Sequence, residues 1–383
     1  MQSSTLLLKV LRYTTTLMTC RWRKIRSTLY FHPLHMEIIN LLSFPQLKQC
    51  ITEGYVTATL PISSMGELLI TGGAGFIGSC LAKKSLESRW KVRIYDTIPN
   101  GLDQTLAELE DAGVKLIIGD IRNPETLNDA ISGCDTVVHL AAQVSVPHSI
   151  INPQETMDVN VNGTAQVLEL CLLNGVERVV MASSAAVYGN SENFPLHEDD
   201  AGMTLSPYAE SKWMNEKQII DARQKGLNAA ALRFFNVYGN GQKSDGAYSA
   251  VIPKFIDLML DGVAPTVNGD GLQTRDFVHV DDVCTAVLSL IEDDWKAVNH
   301  HVFNVATQTK ASLLNLIDII NKILQKENLQ SIPIVPVFGP SRDGDIQHSI
   351  ADIQRMKNTF NWEPTMDFQR GLEQMIHSRK ANR

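Results

Sequence analysis

The stretch Glu67-Leu-Leu-Ile-Thr-Gly-Gly-Ala-Gly-Phe-Ile-Gly78 decides the fold of this chain. A short apolar run leads into three glycines spaced G-x-x-G-x-x-G, and a helix over residues 76–88 is predicted to follow. In a strand–turn–helix, such glycines permit a tight turn, let the backbone approach a pyrophosphate and let the helix pack closely on the strand. The helix N-terminus then offers N–H groups and the positive end of its dipole to phosphates. The pattern predicts a dinucleotide site, and a plain tight turn is the alternative.

Strands and helices alternate regularly around this turn. Further strands are predicted at residues 91–96, 114–119, 136–140, 178–183 and 229–234, and further helices at 104–111 and 124–131. This alternation is typical of parallel βαβ units, so we predict an α/β fold with a Rossmann-type doubly wound parallel sheet over residues 67–235. The alternation decays after Asn236, where predicted helices at 252–260 and 313–324 indicate a smaller C-terminal α/β substrate domain over residues 236–383. Residues 278–292 are expected to return to the sheet domain.

Two acids follow predicted strands where a dinucleotide would lie. Asp96 ends the second strand 18 residues after Gly78. An acid there accepts hydrogen bonds from ribose hydroxyls and repels a 2′-phosphate, which favours NAD over NADP; a solvated turn residue is the alternative. Asp120 follows the third strand and is expected to reach the adenine amino group, with Ile121 packing on the ring. For Asp120, a helix N-cap is the alternative.

Tyr208 and Lys212 form a Y-x-x-x-K pair. Four residues apart on a helix, both side chains lie on one face. A nearby ammonium and a positive nicotinamide ring stabilise a phenolate, so such a tyrosine takes a proton from an alcohol. The pair alone is a weak signal, because a lysine four residues after one of eight tyrosines also arises by chance. Ser184 follows a predicted strand and is expected to relay a substrate proton to Tyr208, with a capping serine as the alternative.

The bulk composition is that of an ordinary globular protein. Hydrophobic residues make up 44% and charged residues 20%, and the net charge of −8 gives no general attraction for nucleic acid. No stretch reaches the roughly 18 apolar residues of a membrane span. Six cysteines without a C-x-x-C pair argue against a zinc site or a disulfide framework and fit a reducing compartment. We therefore expect a cytoplasmic protein without a nucleic-acid, membrane or metal partner.

Residues 1–66 differ from the rest of the chain. The first 36 residues contain no acid and six bases, Lys9, Arg12, Arg21, Arg23, Lys24 and Arg26. Three interpretations stay open, namely a cleavable organelle-targeting segment, a small docked helical appendage, and an extension from an upstream start codon. The third is preferred because Met65 lies just ahead of the first predicted strand.

Five ordered motifs of this chain resemble those of the extended short-chain dehydrogenase/reductases. They are Thr71-Gly-Gly-Ala-Gly-Phe-Ile-Gly-Ser79, His139-Leu-Ala-Ala142, Asn160-Val-Asn-Gly-Thr164, Ser183-Ser-Ala-Ala-Val-Tyr-Gly189, and Tyr208 with Lys212. The resemblance covers residues 67–383 and implies an NAD cofactor and, as is common in the family, a homodimer through two helices. The cofactor contacts that it implies are Gly72, Gly75, Phe76, Ile77, Gly78, Asp96, Asp120, Ile121, Ala141, Tyr208 and Lys212.

Within that family, the second half of the chain resembles the UDP-sugar 4-epimerases. The matching stretches are Arg233-Phe-Phe-Asn-Val-Tyr-Gly239, Gln273-Thr-Arg-Asp-Phe-Val-His-Val-Asp-Asp282 and Arg342-Asp-Gly-Asp-Ile-Gln-His-Ser349. The resemblance implies that Asn236, Arg275 and Arg342 hold the UDP diphosphate, for which arginine forks are suited. It assigns Ser145, Ser184 and Ser349 to the substrate as well. The implied reaction oxidises C4 of the sugar with tightly held NAD, lets the 4-keto sugar turn, and reduces its opposite face.

Two details bear on the reaction and the sugar. Ala185 and Ala186 stand where related dehydratases and decarboxylases carry acids, and methyl groups cannot move the protons that elimination requires. Ser349 stands where a bulky tyrosine restricts the site to unmodified hexoses, so a serine implies room for a 2-acetamido group. The stretch Gly246–Pro253 also resembles the branch that handles N-acetylhexosamines. One departure is Gln308, where the family usually has glycine, and it is expected to alter only a turn.

The predicted substrates are therefore UDP-N-acetylglucosamine and UDP-N-acetylgalactosamine. UDP-glucose and UDP-galactose, a UDP-uronate, or another dehydratase or reductase reaction on a nucleotide-sugar are the alternatives. A silent dinucleotide-sensing regulator is disfavoured by the intact Tyr208, Lys212 and Ser184, and a simple alcohol dehydrogenase by the diphosphate-binding positions. His139 is interpreted as a packed strand residue and His300-His301 as a solvated loop.

Overall fold

The computed structural model describes residues 64–98, 103–244, 250–295, 298–341, 346–381 and 383. Within these residues, a seven-stranded parallel sheet forms the centre of the fold. Its strands are β1 (Glu67–Thr71), β2 (Lys91–Asp96), β3 (Lys115–Ile118), β4 (Thr136–His139), β5 (Arg178–Ser184), β6 (Asn228–Phe234) and β11 (Val302–Val305). They are arranged in the order β11-β6-β5-β4-β1-β2-β3. The strand order reverses between β1 and β4, and sheets of this kind bind ligands at such a point, outside the carboxyl ends of the strands.

Helices cover both faces of this sheet. One face carries α1 (Phe76–Glu87), α2 (Gln104–Asp111) and α9 (Val280–Ile291), and the other carries α3 (Pro124–Ile131), α6 (Gly163–Leu173) and α7 (Pro207–Gln224). Between β4 and α6 lie α4 (Val146–Ile151), α5 (Pro153–Met157) and a π-helical turn (Asp158–Asn162).

The side chains of β1 show why the sheet is covered on both sides. Leu68 and Ile70 belong to the same apolar core as Leu81 of α1. Leu69, which points the other way, belongs to the core with Val167 of α6. Because successive side chains of a strand alternate between faces, a strand buried on both faces has to be apolar throughout.

The second half of the chain builds a smaller body on the carboxyl side of the sheet. Its strands are β7 (Asn236–Tyr238), β8 (Thr266–Asn268), β9 (Thr274–Arg275), β10 (Phe277–His279), β12 (Ala311–Ser312) and β13 (Val337–Gly339). Its helices are α8 (Val251–Leu260), α10 (Leu313–Lys326), α11 (Gln354–Phe360) and α12 (Phe368–Ala381). The strands pair as β7 with β10, β8 with β13 and β9 with β12. Helices α8, α10 and α12 enclose a separate apolar core that includes Phe255, Ile317 and Leu372.

The predicted fold class is confirmed, and the predicted strands and helices end within two residues of the observed ones. One difference concerns β11, because residues 302–305 lie inside the stretch that was assigned to the second domain, yet they extend the central sheet beside β6. This four-residue strand stands between loops, so no regular alternation marks it in the sequence. Residues 1–63, which include nearly all of the N-terminal extension, lie outside the described residues. In the described part of the chain, no helix is long and apolar enough to cross a membrane.

Gln308 stands in a turn that favours glycine, since its φ is +58°. A side chain in this left-handed conformation costs roughly 1 kcal/mol. We expect Gln308→Gly to raise the free energy of unfolding in urea by about 0.5–1 kcal/mol, the strain relief being partly offset by the freer unfolded chain. Gln308→Ala keeps the Cβ atom and is expected to give no gain, so equal stabilisation by both variants would contradict this explanation.

Candidate active site

The glycine turn at the end of β1 has the geometry that a pyrophosphate site requires. Gly72 has a φ of +70°, which only glycine adopts without strain. A Cβ atom on Gly78 would lie 2.4 Å from the carbonyl oxygen of Gly72, so helix and turn approach as closely as glycine allows. The N-cap of α1 is Gly75, and no side chain caps the first turn of this helix. The uncapped N–H groups of a 12-residue helix at the sheet switch point therefore fit the phosphates of a dinucleotide.

Asp96 is built into this turn. Its Oδ2 accepts a hydrogen bond from the Ala74 N–H at 3.0 Å, and its Oδ1 accepts one from the Ile98 N–H at 3.0 Å. The half-buried carboxylate therefore ties the end of β2 to the glycine turn, and its bond to the Ile98 N–H is also the contact of a turn residue. A carboxylate has about four acceptor positions, so capacity for the ribose hydroxyls remains.

Asp120 pairs with Arg122 and caps no helix. Asn123 is the N-cap of α3, and its side chain accepts the first-turn N–H groups, so the helix-cap alternative for Asp120 is wrong. The Arg122 guanidinium binds both carboxylate oxygens, at 3.0 Å from Nε to Oδ1 and 2.6 Å from Nη2 to Oδ2. This pairing holds the pKa of Asp120 below its ordinary value. Ile121 is buried against α6, where a Cβ on Gly163 would lie 2.6 Å from Ile121 Cδ1.

The end of β4 is fixed to β1 through His139. Its ring nitrogens lie 2.7 Å from Thr71 Oγ1 and 2.9 Å from Thr164 Oγ1, and the residue is buried. Burial, together with the charge of Lys212, lowers the pKa of His139 to about 3, so the ring is neutral. The interpretation of His139 as a packed strand residue is confirmed. Ala141 follows at the glycine turn, and a Cβ on Gly72 would lie 2.5 Å from its nitrogen.

Helix α7 carries Tyr208 and Lys212 one turn apart. The helix begins with Ser206 as N-cap and a proline in its first turn, which suit a helix start. The Lys212 Nζ donates to the Ala182 carbonyl at 2.9 Å, and burial lowers the pKa of this lysine to about 8. Tyr208 is half-buried. The lysine contact thus holds the turn that bears Tyr208 against the end of β5.

Ser184 caps a helix, as its alternative interpretation proposed. Its Oγ accepts a hydrogen bond from the Ala186 N–H at 3.2 Å and so caps the 3₁₀ helix Ala185–Tyr188. A hydroxyl has one proton and two acceptor positions. The capping bond therefore leaves the Ser184 proton available to a ligand, and the two roles are compatible.

Helix α7 also carries one member of a buried ion pair, which is not apparent from the sequence. Glu216, one turn after Lys212, accepts from Arg233 Nε at 2.9 Å and from Arg233 Nη2 at 2.7 Å. Glu216 also accepts from Ser183 Oγ at 2.5 Å. Both charged residues are at most 2% exposed. The spacing of Lys212 and Glu216 on one helix was the available signal, but charged residues four apart on a helix are usually solvated.

Asn160 is a second buried residue whose role is not apparent from the sequence motif that contains it. It lies in the π-helical turn and is 1% exposed. Its amide nitrogen donates to the Gln143 carbonyl at 3.0 Å and to Ser211 Oγ at 2.9 Å, and its Oδ1 accepts from the Gln143 N–H at 2.8 Å. Asn160 therefore joins the loop after β4 to α7. In that loop, Ser145 is the N-cap of α4 and accepts the His148 N–H at 3.1 Å.

Three of the residues expected to bind the UDP-sugar, Asn236, Arg275 and Ser349, lie close to one another in the smaller body. Asn236 follows β6, and its Nδ2 donates to the Asp276 carbonyl at 3.0 Å. Arg275 is half-buried at the end of β9. Ser349 is buried, and its N–H donates to the Thr274 carbonyl at 3.1 Å.

Two expected substrate-binding features fall wholly or partly outside the described residues. Arg342 lies outside the described residues, as does the first half of the stretch Gly246–Pro253, residues 246–249. Among the residues that are described, no group of three or more His, Cys, Asp or Glu side chains is placed to hold a metal ion.

The Glu216–Arg233 pair makes a clear prediction for stability. Arg233→Met leaves the Glu216 carboxylate buried without its cation, and we expect a loss of about 3–5 kcal/mol in the free energy of unfolding. The double variant Arg233→Met/Glu216→Leu removes both charges and is expected to recover most of that loss. Urea unfolding followed by circular dichroism measures both. A single variant as stable as the wild type would show that the pair is not needed.

Comparison with known proteins places this site in a family. Residues 68–306 match the NAD dependent epimerase/dehydratase family. The chain is 34% identical to a putative UDP-glucose 4-epimerase of Methanocaldococcus jannaschii over 319 residues, which are 82% of this chain and 99% of that protein. The solved UDP-N-acetylglucosamine 4-epimerase of Methanobrevibacter ruminantium, in complex with UDP-N-acetylmuramic acid, is 32% identical with a TM-score of 0.77, covering 84% of this chain and 100% of that one. The UDP-glucose 4-epimerase of Thermus thermophilus in complex with NAD is 28% identical with a TM-score of 0.71, covering 82% and 99%. The chain therefore belongs to the NAD dependent epimerase/dehydratase family, as an epimerase with NAD as its cofactor.

Proposed function

We propose that this protein interconverts UDP-N-acetylglucosamine and UDP-N-acetylgalactosamine by inverting C4 of the sugar. The observation that carries the sugar assignment is Ser349, a small residue whose N–H bonds to β9, the strand that contains Arg275. Ala185 and Ala186, which follow Ser184, supply no acid or base for eliminating water or carbon dioxide. The similar proteins described above include 4-epimerases of two different UDP-sugars. The family therefore supports the 4-epimerase reaction, and the choice of sugar has to be inferred from the residues of the site.

In this proposal, the chemistry belongs to the carboxyl ends of β5 and β6 and the start of α7. Tyr208 takes the proton of the sugar 4-OH, and the buried ammonium of Lys212 stabilises the phenolate that it needs. Ser184, held by its bond to the Ala186 N–H, donates its proton toward the same oxygen. NAD, when bound, supplies the reversible oxidation of C4. Gly72, Gly75, Phe76, Ile77, Gly78, Asp96, Asp120, Ile121 and Ala141 are proposed to hold it.

Residues 236–383, apart from the segments that join the sheet domain, are proposed to hold UDP. Asn236 offers its second amide N–H, and Arg275 offers a guanidinium fork, to the diphosphate. Arg342 is proposed to do the same. A sugar tethered only through its diphosphate has room to turn its other face to Tyr208, and a firm grip on UDP keeps C4 within reach of Tyr208 during that turn.

The size of residue 349 is proposed to set the choice of sugar. The Ser349 N–H is fixed on the Thr274 carbonyl, so the neighbours of Arg275 position this residue. Serine is several heavy atoms smaller than tyrosine, and the space that it leaves accommodates a 2-acetamido group. Ser145, at the start of α4, is proposed to contact the substrate from the sheet domain.

The first test incubates the purified protein with UDP-N-acetylglucosamine and follows the anomeric protons by NMR, without added NAD. We expect UDP-N-acetylgalactosamine to form. Conversion of UDP-glucose or a UDP-uronate alone would keep the mechanism and overturn the argument from Ser349. If no UDP-sugar is converted even with NAD supplied, the 4-epimerase proposal is wrong.

The role of Ser349 is tested by changing its volume. Ser349→Tyr is expected to lower kcat/KM for UDP-N-acetylglucosamine by more than roughly 10-fold while UDP-glucose is still converted, because the ring fills the space for the acetamido group. Ser349→Ala removes the hydroxyl, keeps the space and is expected to act like the wild type on both. An equal loss on both sugars in Ser349→Tyr would show that residue 349 does not select the sugar.

The role of Lys212 is tested against a second lysine on the same helix. Lys212→Met is expected to reduce kcat by roughly 10²–10⁴-fold, because the phenolate of Tyr208 loses its cation. Lys217 is exposed, with Nζ 5.4 Å from the ring centroid of Trp213, and Lys217→Met is expected to retain activity. The assay uses saturating NAD so that a weaker grip on the cofactor does not imitate a loss of chemistry. Retained activity in Lys212→Met would remove the lysine from the mechanism.

The proposal also includes a homodimer in the cytoplasm. Leu173 of α6 is 73% exposed and Met214 of α7 is 38% exposed, which is consistent with a partner covering these two helices. Size-exclusion chromatography with light scattering measures the mass of the particle in solution.

A further inference from the structure

We propose that Asp276 is the positioning residue of the UDP-holding half, and that its buried side chain sets the places of Asn236, Arg275 and Ser349 together. Asp276 itself is fully buried. The inference rests on the proposed function, because that proposal assigns these three neighbours to the UDP-sugar.

The carboxylate of Asp276 joins two distant segments. Its Oδ1 accepts from the Thr307 N–H at 2.8 Å and from Thr307 Oγ1 at 2.6 Å. Its Oδ2 accepts from the Ala351 N–H at 3.2 Å. Thr307 follows the sheet strand β11, and Ala351 lies two residues after Ser349. One side chain therefore fixes the sugar-facing segment to the end of the central sheet.

The main chain of Asp276 fixes Asn236. Its carbonyl accepts both the Asn236 N–H at 3.1 Å and the Asn236 Nδ2 at 3.0 Å. One amide N–H is committed in this way and sets the plane of the side chain, so the other N–H has a defined direction. A displaced Asp276 would move this group even though Asn236 itself were unchanged.

The positions of Arg275 and Ser349 are also set by Asp276. Arg275 precedes Asp276 in the chain and stays half-buried while Asp276 is fully buried, so fixing Asp276 also fixes the backbone from which the Arg275 side chain leaves. The Thr274 carbonyl accepts the Ser349 N–H, and the Thr274 N–H donates to Gln347 at 2.9 Å. The segment with Ser349 is thus held on one side by Thr274 and on the other by the carboxylate of Asp276.

The chemistry of the three contacts requires an acid at this position. Burial raises the pKa of Asp276 to about 6, and the hydrogen bonds that it accepts oppose that rise, so the side chain is an anion at neutral pH. Every contact described above has Asp276 as the acceptor. An asparagine would place an NH₂ group against one of these donors, because an amide has one oxygen where a carboxylate has two.

The chain contains a matched control at Asp282. This residue is 1% exposed, and its carboxylate also accepts three bonds, from the Thr365 N–H at 2.9 Å, from Thr365 Oγ1 at 2.9 Å and from the Met366 N–H at 3.0 Å. It lies in the first turn of α9 and fixes the segment before α12. Asp282→Asn therefore loses the same kind of bonds at the same burial, without touching Asn236, Arg275 or Ser349.

The experiment compares UDP binding by Asp276→Asn, Asp282→Asn and the wild type, using isothermal titration calorimetry with UDP itself on NAD-containing protein. We expect Asp276→Asn to weaken UDP binding by at least roughly 10-fold, the size of one lost buried hydrogen bond to a charged group. Asp282→Asn is expected to bind UDP within about twofold of the wild type, because the hydrogen bonds of Asp282 go to Thr365 and Met366 and not to the residues proposed to bind the UDP-sugar. The NAD content is expected to be equal in all three proteins, and in Asp276→Asn the KM for the UDP-sugar should rise more than kcat falls.

Equal weakening by both variants, or unchanged UDP binding by Asp276→Asn, would overturn the inference and leave the proposed function standing. If the wild type does not bind UDP, the proposed function fails and the inference fails with it. Should Asp276→Asn not fold, Thr307→Val removes one of the three bonds and Thr365→Val removes its counterpart at Asp282. Thr307→Val is then expected to weaken UDP binding more than Thr365→Val does, by a smaller factor than between the two asparagine variants. If these two threonine variants bind UDP equally well, the inference is wrong.

Discussion

The ion pair between Glu216 and Arg233 ties α7, the helix that carries Tyr208 and Lys212, to the central sheet. Burying two charges is favourable only when the remaining hydrogen-bonding groups are satisfied. Here Ser183 donates to the carboxylate, while the guanidinium donates to the Tyr188 hydroxyl at 2.9 Å and to the Glu198 carbonyl at 2.7 Å. A slide of α7 along β5 and β6 would break several of these bonds together. Lys212, one turn earlier, therefore stays at the Ala182 carbonyl, and Tyr208 stays at the edge where the strands end.

A second buried acid performs a comparable task in the smaller body. Asp276 lies behind the residues proposed to hold UDP, as Glu216 lies behind those proposed to move the proton. Both carboxylates are buried, and each accepts hydrogen bonds from segments that are distant in sequence. Under both proposals, the precision of the site is set by buried groups behind the residues that contact the ligand.

The two halves of the chain also share a core. Val283 of α9 and Phe303 of β11 belong to the same apolar cluster as Leu81 of α1, although both lie in the second half of the sequence. The strand β11 extends the sheet beside β6. As a result, Thr307, two residues after β11, is available to Asp276, and the strands proposed to hold UDP are attached to the sheet that carries the glycine turn.

Patterns that depend on neighbouring residues could be predicted from the sequence by itself. The glycine spacing at Gly72–Gly78, the apolar runs of the strands and the four-residue spacing of Tyr208 and Lys212 are local, because a turn, a strand face and a helix face are each set within a few residues. They predicted the fold class, which the structure confirms, and also the glycine turn and the Tyr208–Lys212 pair that the proposed mechanism uses. Only the tertiary structure decided the partners of Glu216 and Asp276 and the place of β11. The Asp276 contacts span 31 and 75 residues, and Glu216 and Arg233 are 17 apart on different elements. Such pairings arise when packed elements bring buried donors and acceptors together, and no local pattern in the sequence encodes them.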